Sequence, residues 1–181
     1  MRYLAILVCL AILSAGCMDG SLPSRTGESP VEVTSVVDGD TVDVRLPDGT
    51  TDTVRFLGVD TPEVYDENQH GEFGGLPNGT DTKNCLRKYA EEATDFLEKQ
   101  LSDGNVTIRP DSEADRRGKY DRLLAYVYTE GSNRSLNYRL LERGYARVYR
   151  GDFSKNDSYV RKEVEARGKK LGLWSCIPGD G

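Results

Sequence analysis

Beyond position 30 the chain first alternates apolar with polar residues. Positions 31–37 are rich in β-branched side chains, Asp38-Gly39 supplies a hairpin turn, and 41–46 sets Val42, Val44 and Leu46 against Thr41, Asp43 and Arg45. A second turn at Pro47-Asp48-Gly49 leads into 51–59, so three strands in meander order are predicted. The period then changes. Between 83 and 101, Leu86, Tyr89, Ala90, Ala93, Phe96, Leu97 and Leu101 recur at helical spacing, with Thr82 as the predicted N-cap and Gly104 past the end. Positions 105–109 and 123–129 read as two more strands. Ser135 caps a short helix that runs to Arg143 and is closed by Gly144, and 157–167 is a last helix before Leu171-Gly172-Leu173-Trp174. Five short strands interrupted by a helix predict an α+β fold, a five-stranded OB-type barrel with three helices in all.

The segment before the strands has another character. Residues 3–16 are uncharged and follow Arg2, the layout of an export signal, and the run is shorter than the roughly 20 apolar residues of a membrane span. A signal is therefore expected at 1–17 and a flexible tether at 18–30, followed by one folded domain at 31–177 and a tail at 178–181. The signal ends Leu13-Ser14-Ala15-Gly16-Cys17, which resembles a lipobox with Cys17 as the lipidated residue, although Ser14 stands where an aliphatic residue is usual. Lipid anchoring to the membrane and free secretion both stay open; either makes the protein extracytoplasmic.

Export changes the meaning of the cysteines. Cys9 and Cys17 belong to the leader, leaving Cys85 and Cys176, which an oxidising compartment allows to close one long loop; two separate buried thiols are the alternative. The formal charge of −6 excludes a generally basic surface, so any polyanionic partner must rest on local arginines and bound cations.

Two short acidic motifs and one arginine carry the candidate chemistry. Asp40, in Asp38-Gly39-Asp40-Thr41, shares parity with Val42 and Val44 and is expected at the barrel mouth. Asp60-Thr61-Pro62-Glu63 follows the third strand. Arg55 is the one charge in an apolar stretch, and a guanidinium so placed needs an anion, either a phosphate or a carboxylate. Each motif alone is weak, since Asp-Gly-Asp is merely a good turn.

Taken together, Asp38-Gly39-Asp40-Thr41-Val42, Arg55-Phe56-Leu57-Gly58-Val59-Asp60-Thr61-Pro62-Glu63, Lys119-Tyr120-Asp121-Arg122-Leu123-Leu124-Ala125-Tyr126, Leu136-Asn137 with Arg143-Gly144, and Gly172-Leu173-Trp174 resemble the staphylococcal nuclease (thermonuclease) family in order and spacing, over about 31–174. The resemblance implies a Ca²⁺ ion held by Asp40, Asp60 and the Thr61 carbonyl, hard oxygen ligands that suit this ion. It implies Glu63 as the base that prepares the attacking water, and Arg55 and Arg122 as forks on the phosphate. Lys119, Tyr120 and Tyr149 are the implied substrate contacts. The implied activity is Ca²⁺-dependent hydrolysis of DNA and RNA, single strands preferred, leaving 3′-phosphates, by a monomer. The family usually has Gly where this chain has Asp121, and a carboxylate there is expected to pair with Arg122.

Two readings from other classes stand beside it. A catalytically silent OB module would bind nucleic acid or protein and need aromatic platforms with a basic groove. A structural protein of the envelope would be indifferent to calcium. The segment 64–81 is long and Gly-rich and holds His70; it is a candidate cover for substrate, or a source of acids Asp66, Glu67 and Glu72 near the ion. Trp174 is expected to anchor the C-terminal segment to the core.

Overall fold

A computed structural model describes residues 27–64 and 72–176 of the 181-residue chain. The expected leader at 1–17 with Cys17, most of the tether, Asp66, Glu67, His70 and the 178–181 tail lie outside the described residues. The strands are β1 (Ser29–Asp38), β2 (Thr41–Arg45), β3 (Thr51–Phe56), β4 (Val59–Asp60), β5 (Asn105–Arg109), β6 (Leu123–Thr129) and β7 (Arg147–Val148). The helices are α1 (Thr80–Gln100), α2 (Leu136–Arg143) and α3 (Asn156–Gly168), and a 3₁₀ turn, Gly172–Cys176, follows.

Alternation decides which side chains fill the barrel. Val42, Val44, Val54, Val106, Ile108 and Val127 are buried, and the strands carrying them close in the order β1-β2-β3-β6-β5. All neighbours are antiparallel except β3 and β6, which run parallel. Closure pairs the strand edges with one another and gives the five-stranded barrel of an OB-type α+β fold. Each fully buried Val, Leu or Phe contributes about 2 kcal/mol from the water it sheds.

Three details differ from the sequence reading. The first strand starts at Ser29 rather than 31, because Ser29 and Pro30 pair with Ile108 and Thr107 of β5. Pro30 is tolerated because β2 joins only from Glu32 onward, so this end has one neighbour. The predicted strand at 51–59 breaks after Phe56: Gly58 adopts a positive φ of 77°, and a side chain there would strike the Phe153 ring at 2.6 Å. The chain therefore turns back and β4 pairs with β7 in a separate two-stranded sheet. Finally, α1 begins at Thr80 with Gly79 as its cap. Thr82 lies on the buried face with Leu86, Ala90 and Ala93, so its side chain packs inward rather than capping the helix end.

Helix α2 follows its local signals to the residue. Ser135 accepts the Tyr138 N–H at 3.2 Å, and Gly144 closes the helix in the left-handed conformation. Asn137, fully buried on this helix, donates to the Leu57 and Ala125 carbonyls and accepts the Val127 N–H, tying α2 to the end of β3.

A second apolar cluster gathers Phe73, Leu76, Leu86, Ala166, Leu173 and Trp174. Cys85 and Cys176 are joined by a disulfide within it, their Cα atoms 5.8 Å apart and 91 positions apart in the chain. Helix α1 serves both clusters, since Leu86 belongs to this one while Ala93, Phe96 and Leu97 belong to the barrel core.

Candidate active site

The tip of the β1–β2 hairpin is where the sequence first places carboxylates together. Asp38 pairs with Thr41, leaving Gly39 and Asp40 as the turn, and the Asp38 carboxylate accepts the Asp40 N–H at 3.0 Å. Gly39 has no room for a side chain, as a Cβ would lie 2.7 Å from that of Ala93 and 2.8 Å from Thr61 Oγ1. The tip thus nests between α1 and the segment after β4. Asp40 is not at an open mouth: it is only 1% exposed, with one carboxylate oxygen accepting the Thr61 N–H at 2.8 Å and the other against Arg55 Nη1.

Arg55 is the hub. From the end of β3 its fork reaches Asp40 through Nη1 and Asp60 Oδ1 through Nη2 at 2.5 Å, so its anion in the protein alone is a pair of carboxylates. The reversal at Gly58 makes this possible by folding β4 back toward β3. Burial pulls the Arg55 guanidinium below its ordinary value, against the opposing influence of Asp60 and Asp38. Burial likewise raises the Asp38 carboxyl, which Arg55, Thr41 and Arg122 work to hold down. The other Asp60 oxygen accepts from Arg147 Nη2 at 2.7 Å.

A cleft of about 690 Å³ opens beside this cluster. Arg55, Asp60, Glu63, Lys119, Tyr120, Arg122 and Tyr149 all line it, whereas Asp40 and Thr61 are buried behind it. Lys119 and Arg122 lie 5.3 and 5.5 Å from the centre of the exposed Tyr120 ring. Asp121 does not pair with Arg122. It adopts a φ of 60°, which directs its carboxylate to Arg117 Nε at 3.5 Å and its carbonyl to Arg117 Nη1. Arg117 in turn forks onto Asp52, securing the loop to β3. The left-handed backbone explains why glycine suits this place, and it leaves Arg122 facing the cleft.

Asp111 fastens the two loops that form the cleft walls. It accepts from Tyr126 Oη at 2.6 Å, from the Glu113 N–H, and from the Ser154 N–H and hydroxyl. Although burial opposes it, these hydrogen bonds hold the Asp111 carboxyl below the usual carboxylate range.

Sequence reasoning missed Arg147, and also the acids Asp38, Glu113, Asp115 and Asp152, which join Glu72 along the cleft. The available signal for Arg147 was the alternation Tyr145-Ala146-Arg147-Val148, a strand too short to stand out. Among the described residues, seven acidic side chains against three basic ones line the cleft, so its charge follows that of the whole chain.

Among the described residues no three His, Cys, Asp or Glu side chains converge in a way that would hold a metal ion. A site of two carboxylates and a carbonyl does not require a third. Asp40 and Asp60 meet on one guanidinium, and Asp40 also accepts the Thr61 N–H, so two carboxylates stand beside the Thr61 main chain; hard oxygen donors of this kind suit a Ca²⁺ ion.

The model of the staphylococcal nuclease homologue family matches residues 53–176. The chain belongs to the staphylococcal nuclease family. Within this family it is 42% identical over 149 residues to an uncharacterized protein of Methanocaldococcus jannaschii, covering 80% of this chain and 70% of that protein. It is 35% identical over 161 residues to the endonuclease YncB of Bacillus subtilis, covering 86% of this chain and 67% of the relative. To the thermonuclease of Staphylococcus hyicus it is 28% identical over 178 residues, 94% of each chain. Membership and these relatives support nuclease activity, with nucleic acid as the substrate class.

Proposed function

We propose that the protein is an exported, Ca²⁺-dependent nuclease that hydrolyses phosphodiester bonds of DNA and RNA. One observation carries this reading: Asp40 and Asp60 converge on Arg55 at the edge of a cleft that also presents Glu63 and Arg122. Asp40, Asp60 and the main chain of Thr61 would hold the ion, which when bound supplies a Lewis acid for a phosphate oxygen. Glu63 takes a proton from the attacking water, or orients it. Arg55 and Arg122 bind the phosphate and steady the added charge of its five-coordinate transition state. Arg55 exchanges a carboxylate partner for the phosphate in doing so. Cleavage of the bond between phosphorus and the 5′-oxygen leaves 3′-phosphate ends. Lys119 and Tyr120 contact the nucleotide phosphate, and Tyr149 offers a face for a base.

The acidic cleft favours a flexible single strand over a duplex, because a single strand carries less charge per length and can present one phosphate at a time. Export with lipid attachment at Cys17, or free secretion, places the monomeric enzyme outside the cytoplasm; this rests on the uncharged run 3–16. A Cys17→Ser variant that partitions with membranes like the parent would remove the lipid anchor from the proposal.

A fluorogenic oligonucleotide assay tests the activity, comparing the parent with Glu63→Gln and Arg55→Ala in Ca²⁺ and in chelator. Expected are loss of cleavage in chelator and in both variants. Equal rates in all samples would favour a silent OB-fold binding module.

A further inference from the structure

The two-residue sheet between β4 and β7 sets Arg147 directly opposite Asp60, with Val148 opposite Val59. Directly opposed residues bring their side chains within contact distance, and Arg147 Nη2 meets Asp60 Oδ2 at 2.7 Å while Arg55 holds Oδ1. The carboxylate is thus gripped at both oxygens by different arginines from different strands. Rotation about its last bond would break one contact or the other.

The Arg147 guanidinium is itself held in place. It lies over the rings of Phe73, at 5.6 Å, and Tyr149, at 5.9 Å, with its side chain 20% exposed. Its Nε is buried and has no hydrogen-bond partner among the described residues. Aromatic packing and the bond to Asp60 therefore orient the group. Phe73 belongs to the disulfide-bonded cluster and Tyr149 to the cleft wall, so the orientation of Asp60 is referred to both.

The geometry points to Arg147 as a positioning residue for the Asp60 carboxylate: by holding one oxygen it fixes the orientation of the other, which meets Arg55 on the same guanidinium as Asp40 and would be offered to a Ca²⁺ ion. This rests on the calcium reading above. Two effects oppose one another: the positive charge of Arg147 repels a cation, whereas its hold on Asp60 removes the cost of orienting the ligand. Outer contacts of this kind characteristically change metal affinity or activity by about 10- to 100-fold when lost, and here the orienting effect prevails.

The test is a calorimetric titration of the full chain with Ca²⁺ alone, for the parent, Arg147→Met and Arg147→Lys, with kcat, KM and thermal midpoints on the same samples. Expected for Arg147→Met is a Ca²⁺ dissociation constant weakened about tenfold or more, and a lower kcat at saturating Ca²⁺ with KM little changed. Lysine keeps the charge but not the fork and recovers only part of both losses. Tighter Ca²⁺ binding in Arg147→Met with parental binding in Arg147→Lys would overturn the assignment in favour of simple repulsion. A lowered midpoint with unchanged Ca²⁺ affinity in both variants would overturn it in favour of a purely structural bond. Should Arg147→Met not fold, the lysine variant decides alone: parental affinity and kcat refute the assignment. Failure of the parent to bind Ca²⁺ would instead defeat the calcium reading itself, and it would be seen before any variant is made.

Discussion

The rim around Asp40 and Asp60 and the cluster around Trp174 are ordered by different forces. At the rim, buried or half-buried charges hold one another: Arg55 and Arg147 neutralise Asp40, which is shut off from water, and Asp60, which is largely so. Around Trp174 the order comes from apolar burial and a covalent bond between Cys85 and Cys176. Charge pairs in such a setting add little net stability, because desolvation offsets much of their attraction. The apolar cluster stabilises but has no chemistry to offer. The contrast teaches that the charges of the rim can change partners at little net cost, while the stapled cluster keeps the neighbouring chain in place.

This division can be broken by variants that affect the wrong property. Glu63→Gln should lower kcat by about 10²- to 10⁴-fold while the thermal midpoint moves little; a collapse of the midpoint would show that the rim carries the fold. Trp174→Ala should cost about 3–5 kcal/mol of stability in denaturant unfolding, and the fraction still folded at 25 °C should keep most of its kcat. Removing the disulfide as Cys85→Ala with Cys176→Ala should cost about 4.6 kcal/mol for a loop of this length, again read by denaturant titration. Loss of activity in a folded sample of either variant would erase the distinction between the regions.

Acid sharpens the comparison from another side. The Asp111 carboxyl is held below its ordinary value in the folded state, so its contribution is present above the unfolded pKa of about 4 and fades as pH falls through the lower folded value. Asp111→Asn should cost about 1–2 kcal/mol at neutral pH and flatten the acid limb of the stability curve, measured by urea midpoints between pH 2 and 7. An acid limb as steep as the parent's would show that other carboxylates govern it. The smallest effect belongs to Asp121→Gly: relief of the left-handed backbone should add about 0.5–1 kcal/mol, less the weak exposed pair with Arg117.

Much of this architecture was legible where a local signal sufficed. Strands β5 and β6 fall on the residues expected for them, and α2 ends where Ser135 and Gly144 say it should, because caps and turns act within a few residues. The need of Arg55 for an anion was legible from its apolar neighbours, but the choice between phosphate and carboxylate was not, since Asp40 and Asp60 reach it only through a hairpin tip and the turn at Gly58. The pair β4–β7 was illegible because two residues carry no period, and with it went Arg147. Asp121 was misread for a similar reason: its neighbour in sequence is Arg122, yet its backbone conformation turns it toward Arg117.

Helix α1 lies across the boundary between the two regions, its early turns in one cluster and its later turns in the other. A continuous rod so divided has two thermodynamic addresses. In native-state hydrogen exchange, the amide of Leu86 should report the opening of the stapled lobe and that of Leu97 the opening of the barrel, so that reduction of the disulfide speeds the first far more than the second.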